Sequence, residues 1–191
     1  MKLLGVYTLY IDSDLSKSTQ VSKTVSTCFY QLRRMKSVRR SLPMDAAKTI
    51  VNSFEVSRVD YCNSLFAGVP QKQIDRLQAI LNATAKLLYG GSGRDHVTPL
   101  LRDKLHWLRF SQRITYKLCL LVYKALHGQA PCYLSRHVIP VGSNPHLRRL
   151  RSSDKHLVIN PGSKKKFGER GFSVAAPSAW NALPMGIRDV T

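Results

Sequence analysis

From residue 19 to residue 40 the chain reads TQVSKTVSTCFYQLRRMKSVRR. Val21, Val25, Phe29 and Leu32 recur at spacings of four, four and three, which is the period of one helical face and predicts a buried stripe. Lys23, Arg33, Arg34, Lys36, Arg39 and Arg40 share the stretch, with no acid among them. The C-terminal end of a helix favours cations because the backbone dipole places partial negative charge there. The stretch therefore predicts an amphipathic helix that ends in a dense basic cluster.

Outward from this helix, Pro43 suits the first turn of a second one, from Met44 to about Val59, with Ala47, Ile50, Val51 and Phe54 on a common face. Asn63 to Pro70 reads as a connector. A third helix is predicted from about Lys72 to Tyr89, with Ile74, Leu77, Leu81 and Leu88 in register, and Gly90-Gly91 stops it. The fourth, about Ser111 to His127, carries Ile114, Leu118, Leu121, Val122 and Ala125 before Gly128 and Pro131. Each such side chain contributes about 1.5–3 kcal/mol when fully buried, so the stripes suffice to hold helices together.

Strand signals are weaker. Leu3 to Ile11 is rich in β-branched and aromatic residues and ends at the turn Asp12-Ser13-Asp14. Beyond Val138, prolines and glycines break any long element and leave short strands such as His156–Ile159 and Phe172–Ala175. The expected architecture is mainly α. Residues 1–15 would form a strand edge, 16–137 a helical domain, and 138–191 an irregular basic Pro/Gly-rich segment with short strands.

The chain has 191 residues and 43% hydrophobic content, enough for a core, and 30 Lys+Arg against 11 Asp+Glu give +19. Residues 1–100 hold 14 basic and 7 acidic side chains, a balance of +7; residues 101–191 hold 16 and 4, a balance of +12. Such a chain attracts polyanions, and nucleic acid, with its dense line of phosphates, is the favoured partner over an anionic membrane or an acidic protein. Cys28, Cys62, Cys119 and Cys132 are widely spaced, which suits reduced thiols in an intracellular compartment, nucleus or cytoplasm. The apolar opening meets Asp12 and Asp14 instead of a signal-peptide cleavage site, and Leu118 to Leu126 is too short to span a bilayer core of about 30 Å, so no membrane segment is expected.

Catalytic signals are sparse. Two-metal chemistry needs clustered carboxylates, and the nearest pair, Asp12 and Asp14, sits in a turn signal with no third acid nearby. Cys119, His127, Cys132 and His137 lie within nineteen residues, but gaps of eight, five and five lack the close pairs of a structural zinc site. Gly90-Gly91-Ser92-Gly93 lacks the Lys-Ser/Thr of a phosphate loop, and no G-x-S-x-G occurs. No catalytic residue, metal or cofactor is assigned. Three basic clusters remain as candidate phosphate contacts: Arg33, Arg34, Lys36, Arg39 and Arg40; Arg148, Arg149 and Arg151; and Lys164, Lys165 and Lys166 with Arg170. Phe29, Tyr30, Trp107 and Phe167 lie near basic residues and could stack on bases, although each is more often a core residue.

Six blocks in order carry a resemblance. They are Leu4-Gly5-Val6 with Asp12-Ser13-Asp14-Leu15; Cys28-Phe29-Tyr30-Gln31-Leu32-Arg33; and Ser57-Arg58-Val59-Asp60-Tyr61-Cys62-Asn63-Ser64-Leu65. Then come Leu105-His106-Trp107-Leu108; Tyr123-Lys124-Ala125-Leu126-His127-Gly128 with Ala130-Pro131; and Phe172-Ser173-Val174-Ala175-Ala176-Pro177 with Trp180-Asn181 and Leu183-Pro184. Together they resemble the tail of the reverse transcriptase of LINE-type retrotransposons without long terminal repeats, in the jockey-like branch.

The resemblance implies a helical thumb-like bundle following the polymerase palm. It further implies a truncated copy that lacks the fingers, nearly all of the palm with its magnesium-binding aspartates, and the endonuclease domain. These residues would then be non-catalytic, gripping the backbone of RNA, DNA or an RNA–DNA hybrid and docking on other parts of a reverse transcriptase. The Asp60-Asn63 block would pin a connector through side-chain hydrogen bonds or, in the other reading, touch RNA. Two rivals belong to different classes: a structural or protein-interaction remnant without independent activity, and an enzyme with a zinc or thiol site.

Overall fold

A computed structural model describes residues 9–13, 16–91, 95–143, 156–165 and 167–189. They are mainly helical. The helices of eight residues or more are α1 (Ser18–Val38), α2 (Met44–Val51), α3 (Gln71–Tyr89), α4 (Phe110–Leu126) and α5 (Phe172–Asn181). The chain forms two compact units, residues 1–113 and 114–191.

In the first unit α1 packs on α3, and α2 packs beside both. Pro43 and Pro70 stand immediately before α2 and α3, where a missing N–H costs nothing and the carbonyl accepts the first helical bond, as in Ala47 N to Pro43 O at 3.0 Å. α3 ends where Gly90 takes φ +72°, a left-handed cap that glycine adopts without the strain a Cβ would bring. Met35, Ala47, Val51 and Leu88 form a buried cluster at the meeting of α1, α2 and α3, with Leu42, Leu105 and Trp107 packed against it.

The predicted stripe of α3 is observed: Ile74, Leu77, Leu81 and Leu88 are buried, joined by Ile80 and Ala85. On α1 the buried face is rotated from the prediction. Val21 and Leu32 are buried, but Thr24, Cys28 and Met35 complete the face, while Val25 and Phe29 are only half-buried. Polar Thr24 and Gln20 can occupy the interior because the Gln20 side chain donates to Thr24 Oγ1 at 3.3 Å and accepts from Tyr10 N at 2.9 Å.

The second helix departs further. After Val51 it winds through a π turn, Asn52–Val56, and regains α geometry over Ser57–Asp60. A π turn closes i→i+5 bonds and inserts one extra residue per turn. Val51, Glu55 and Val59 thereby line the inward side, and Phe54, predicted to be buried, is 53% exposed.

Among the described residues no strand forms. Residues 3–8 of the predicted N-terminal strand lie outside them, and residues 9–11 have no regular structure. His156–Ile159 makes one isolated antiparallel bridge, Pro140 with Val158. Phe172–Ala175 opens α5 instead of a strand. Its short apolar run fits either period, and the four-residue recurrence of Phe172, Ala176 and Trp180, with Ala-rich spacing, favours the helix.

In the second unit, Asn181 at the end of α5 accepts from Val158 N at 3.0 Å and donates to Val158 O at 2.8 Å. The amide side chain thus serves Val158 as a strand neighbour would. Trp180 Nε1 donates to His156 O at 2.9 Å, and Ala176, Trp180 and Val158 are buried. The Trp-Asn block is a structural pin.

Candidate nucleic-acid interface

At 3.6 residues per turn, Lys23, Arg33 and Arg34 fall on the side of α1 away from Val21, Thr24, Cys28, Leu32 and Met35, while Lys36 sits at the flank of the buried face, one turn after Leu32. All four are exposed, as is Arg40 in the 3₁₀ turn Arg39–Ser41 that follows. No acidic side chain is within ion-pairing distance of Arg33, Arg34, Lys36 or Arg40 among the described residues. Tyr30 lies on the same side, 54% exposed, with the Arg34 guanidinium 5.9 Å from its ring centre. Further toward the N-terminus, Lys23 approaches Tyr10 at 5.7 Å. The result is a cationic helix face interleaved with an aromatic ring.

Arg39 belongs elsewhere. Its guanidinium donates to Leu42 O at 3.1 Å and to Leu88 O at 2.7 Å, which satisfies one of the open carbonyls in the last turn of α3. It ties the end of α1 to the end of α3 and is not presented to solvent as its neighbours are. Lys164 and Lys165 are exposed in the second unit; Lys166, Arg148, Arg149 and Arg151 lie outside the described residues.

The Asp60-Asn63 block pins a connector. Asp60 Oδ2 accepts from Arg113 in the first turn of α4 at 2.6 Å, Arg113 Nε donates to Leu108 O at 2.9 Å, and the guanidinium is 5.8 Å from the Trp107 ring. Cys62 takes φ +53° to let the chain reverse into the turn Asn63–Phe66, whose Phe66 packs edge-on against Phe110 at 5.8 Å. Gln78 of α3 accepts from Phe110 N at 2.7 Å and so caps α4.

The candidate metal groups take other roles. Asp12 accepts from Thr19 N at 3.2 Å and from Ser16 Oγ at 3.1 Å, capping α1 from outside the helix. Hydrogen bonds from Thr19, its side chain first, and from Ser16 and Ser18 hold this carboxyl below its ordinary range. Asp14 lies outside the described residues. Cys119 is buried, which raises its thiol, while Cys132 is exposed and His127 Nδ1 is 2.8 Å from Tyr123 O. Among the described residues no three His, Cys, Asp or Glu side chains form a group that could hold a metal ion.

One acid beside the cationic face escaped sequence reasoning. Glu55 is 3% exposed and faces α1, near the buried Cys28 thiol. Burial pushes its carboxyl up to about 7, against a smaller downward pull from Cys28 and Arg58. Burial and the Glu55 charge together push the Cys28 thiol far up, so it is an inert neutral group. The i, i+4, i+8 spacing of Val51, Glu55 and Val59 is present in the sequence, but so is the competing apolar register through Ile50 and Phe54.

Among the described residues no helix is long and apolar enough to cross a membrane. No protein-family model, curated protein or solved structure matches the chain.

Proposed function

We propose that these 191 residues bind the backbone of RNA, DNA or their hybrid without contributing a catalytic group, as the thumb and following region of a jockey-like LINE reverse transcriptase would. The observation that carries the reading is the exposed side of α1, where Arg33, Arg34 and Lys36, with Arg40 just beyond, have no acid within ion-pairing distance among the described residues. A phosphate polymer meets such a face through charge and hydrogen bonds that carry no sequence information. The six ordered sequence blocks supply the family reading; the charge supplies the binding reading independently. An intracellular location, nuclear or cytoplasmic, follows from both.

Binding should release counterions, so the affinity for random-sequence duplex should fall with salt at a log–log slope near −5 if about six phosphates are neutralised. Binding that is absent at low salt, or insensitive to salt, contradicts the reading. A protein-docking role is the second reading, favoured by the exposed Val38 and Phe54 close to the same face. It predicts self-association or capture of a protein partner with no salt-dependent affinity for nucleic acid.

A further inference from the structure

Tyr30 stands midway in sequence between Cys28 and Leu32, both buried, and helical period therefore sets it on the far side of α1 from that pair. Arg33 and Arg34 follow at i+3 and i+4, so they are its neighbours one turn on, to either side. Lys23 precedes it by two turns, about 10 Å along the helix axis, and extends the cationic row. The ring thus sits inside the charged row, more than half in solvent, with the Arg34 guanidinium 5.9 Å from its centre. Phosphates are met by the cations alone. A flat apolar ring among them matches a different part of a nucleotide, the face of its base.

We propose that the exposed side of α1 takes an unpaired strand of RNA or DNA, with one base stacked on Tyr30 and the adjoining phosphates met by Arg33 and Arg34. This deepens the backbone-binding reading, on which it rests for the choice of a nucleic acid, and names the form that fits best. Within a duplex each base face is covered by its neighbours, so only a single strand or an overhang brings one to the ring. Duplex still binds through charge, but without the stack. Every base has a π face, so the site selects an unpaired strand and not a sequence.

The test titrates the full chain, by fluorescence anisotropy, into three labelled oligonucleotides: a mixed-sequence single strand, an abasic strand with the same number of phosphates, and a random-sequence duplex. The base-bearing strand should bind about tenfold tighter than the abasic one. Tyr30→Ala, at an exposed position, should close that gap by weakening the base-bearing strand alone, with its salt slope and the duplex affinity unchanged. Tyr30→Phe keeps the ring and should keep the gap. Equal affinity of the parent chain for the two strands overturns the proposal, as does a gap that survives Tyr30→Ala. Loss in Tyr30→Phe as large as in Tyr30→Ala also overturns it, since the hydroxyl and not the ring would then make the contact. Salt-dependent binding of all three oligonucleotides without a gap rejects the stacking site and spares the backbone reading; failure of all three to bind rejects both.

Discussion

Arg39 donates to the carbonyls of Leu42 and Leu88, while Arg40, the next residue, stands exposed. In sequence the two arginines are interchangeable members of one cluster; in the fold the first is a brace and the second a surface charge. Arg39→Ala should lower stability by about 1–3 kcal/mol, since it strands buried carbonyls, and denaturant unfolding would measure this. An unchanged midpoint would mean that the brace carries no weight. Glu55 presents the complementary case of an acid drawn inward. Between its ordinary value of 4.5 and its folded value of about 7, the folded chain holds a proton that the unfolded chain has released. Stability therefore falls as pH rises through that window, by about 3 kcal/mol in all, and levels off above it. Glu55→Gln should abolish this slope and so be more stable than the parent at pH 8, with little such gain at pH 5; unfolding curves of the parent and variant across that range decide it.

At the scale of elements, legibility follows how many apolar positions agree on one register. α3 carries a run of Ile and Leu at a single period, and its buried face, its start after Pro70 and its stop at Gly90 are all readable in the sequence. α1 mixes small polar residues into its buried face, so by hydrophobicity Val25 and Phe29 outweigh Thr24 and Cys28, although the latter pack more deeply. The π turn after α2 is invisible in the sequence because its cause, an extra residue per turn, leaves no mark in composition. The run Phe172–Ala175 reads as a strand because four apolar residues fit a strand as well as a helix. The connector at Asp60 is legible as a pin, but not its partner, since Arg113 is remote in sequence. Asp60→Ala should cost about 2 kcal/mol by unpairing the largely covered Arg113 guanidinium. Gly90→Ala should cost about 1 kcal/mol from the positive φ alone, as no atom lies near enough to meet the new methyl. Thermal unfolding checks both, and a Gly90→Ala variant of unchanged stability would show that α3 ends without help from a left-handed cap.

For the whole molecule, the sign and size of the charge are legible from composition, and the solvent-facing position of the α1 cluster follows from helical period. What composition does not supply is the division of labour within that cluster, because hydrogen bonds to backbone carbonyls depend on elements distant in the chain. Arg33, Arg34, Lys36 and Arg40 are the charges the fold leaves for a partner in the first unit's basic cluster. The most direct measurement compares duplex affinity over a range of salt for the parent chain and for a variant with those four changed to Ala. A backbone grip by α1 predicts weaker binding with the fold intact, and a salt slope shallower by about 3–4, close to one for each phosphate no longer neutralised. A variant that binds as tightly as the parent with the same slope would contradict it.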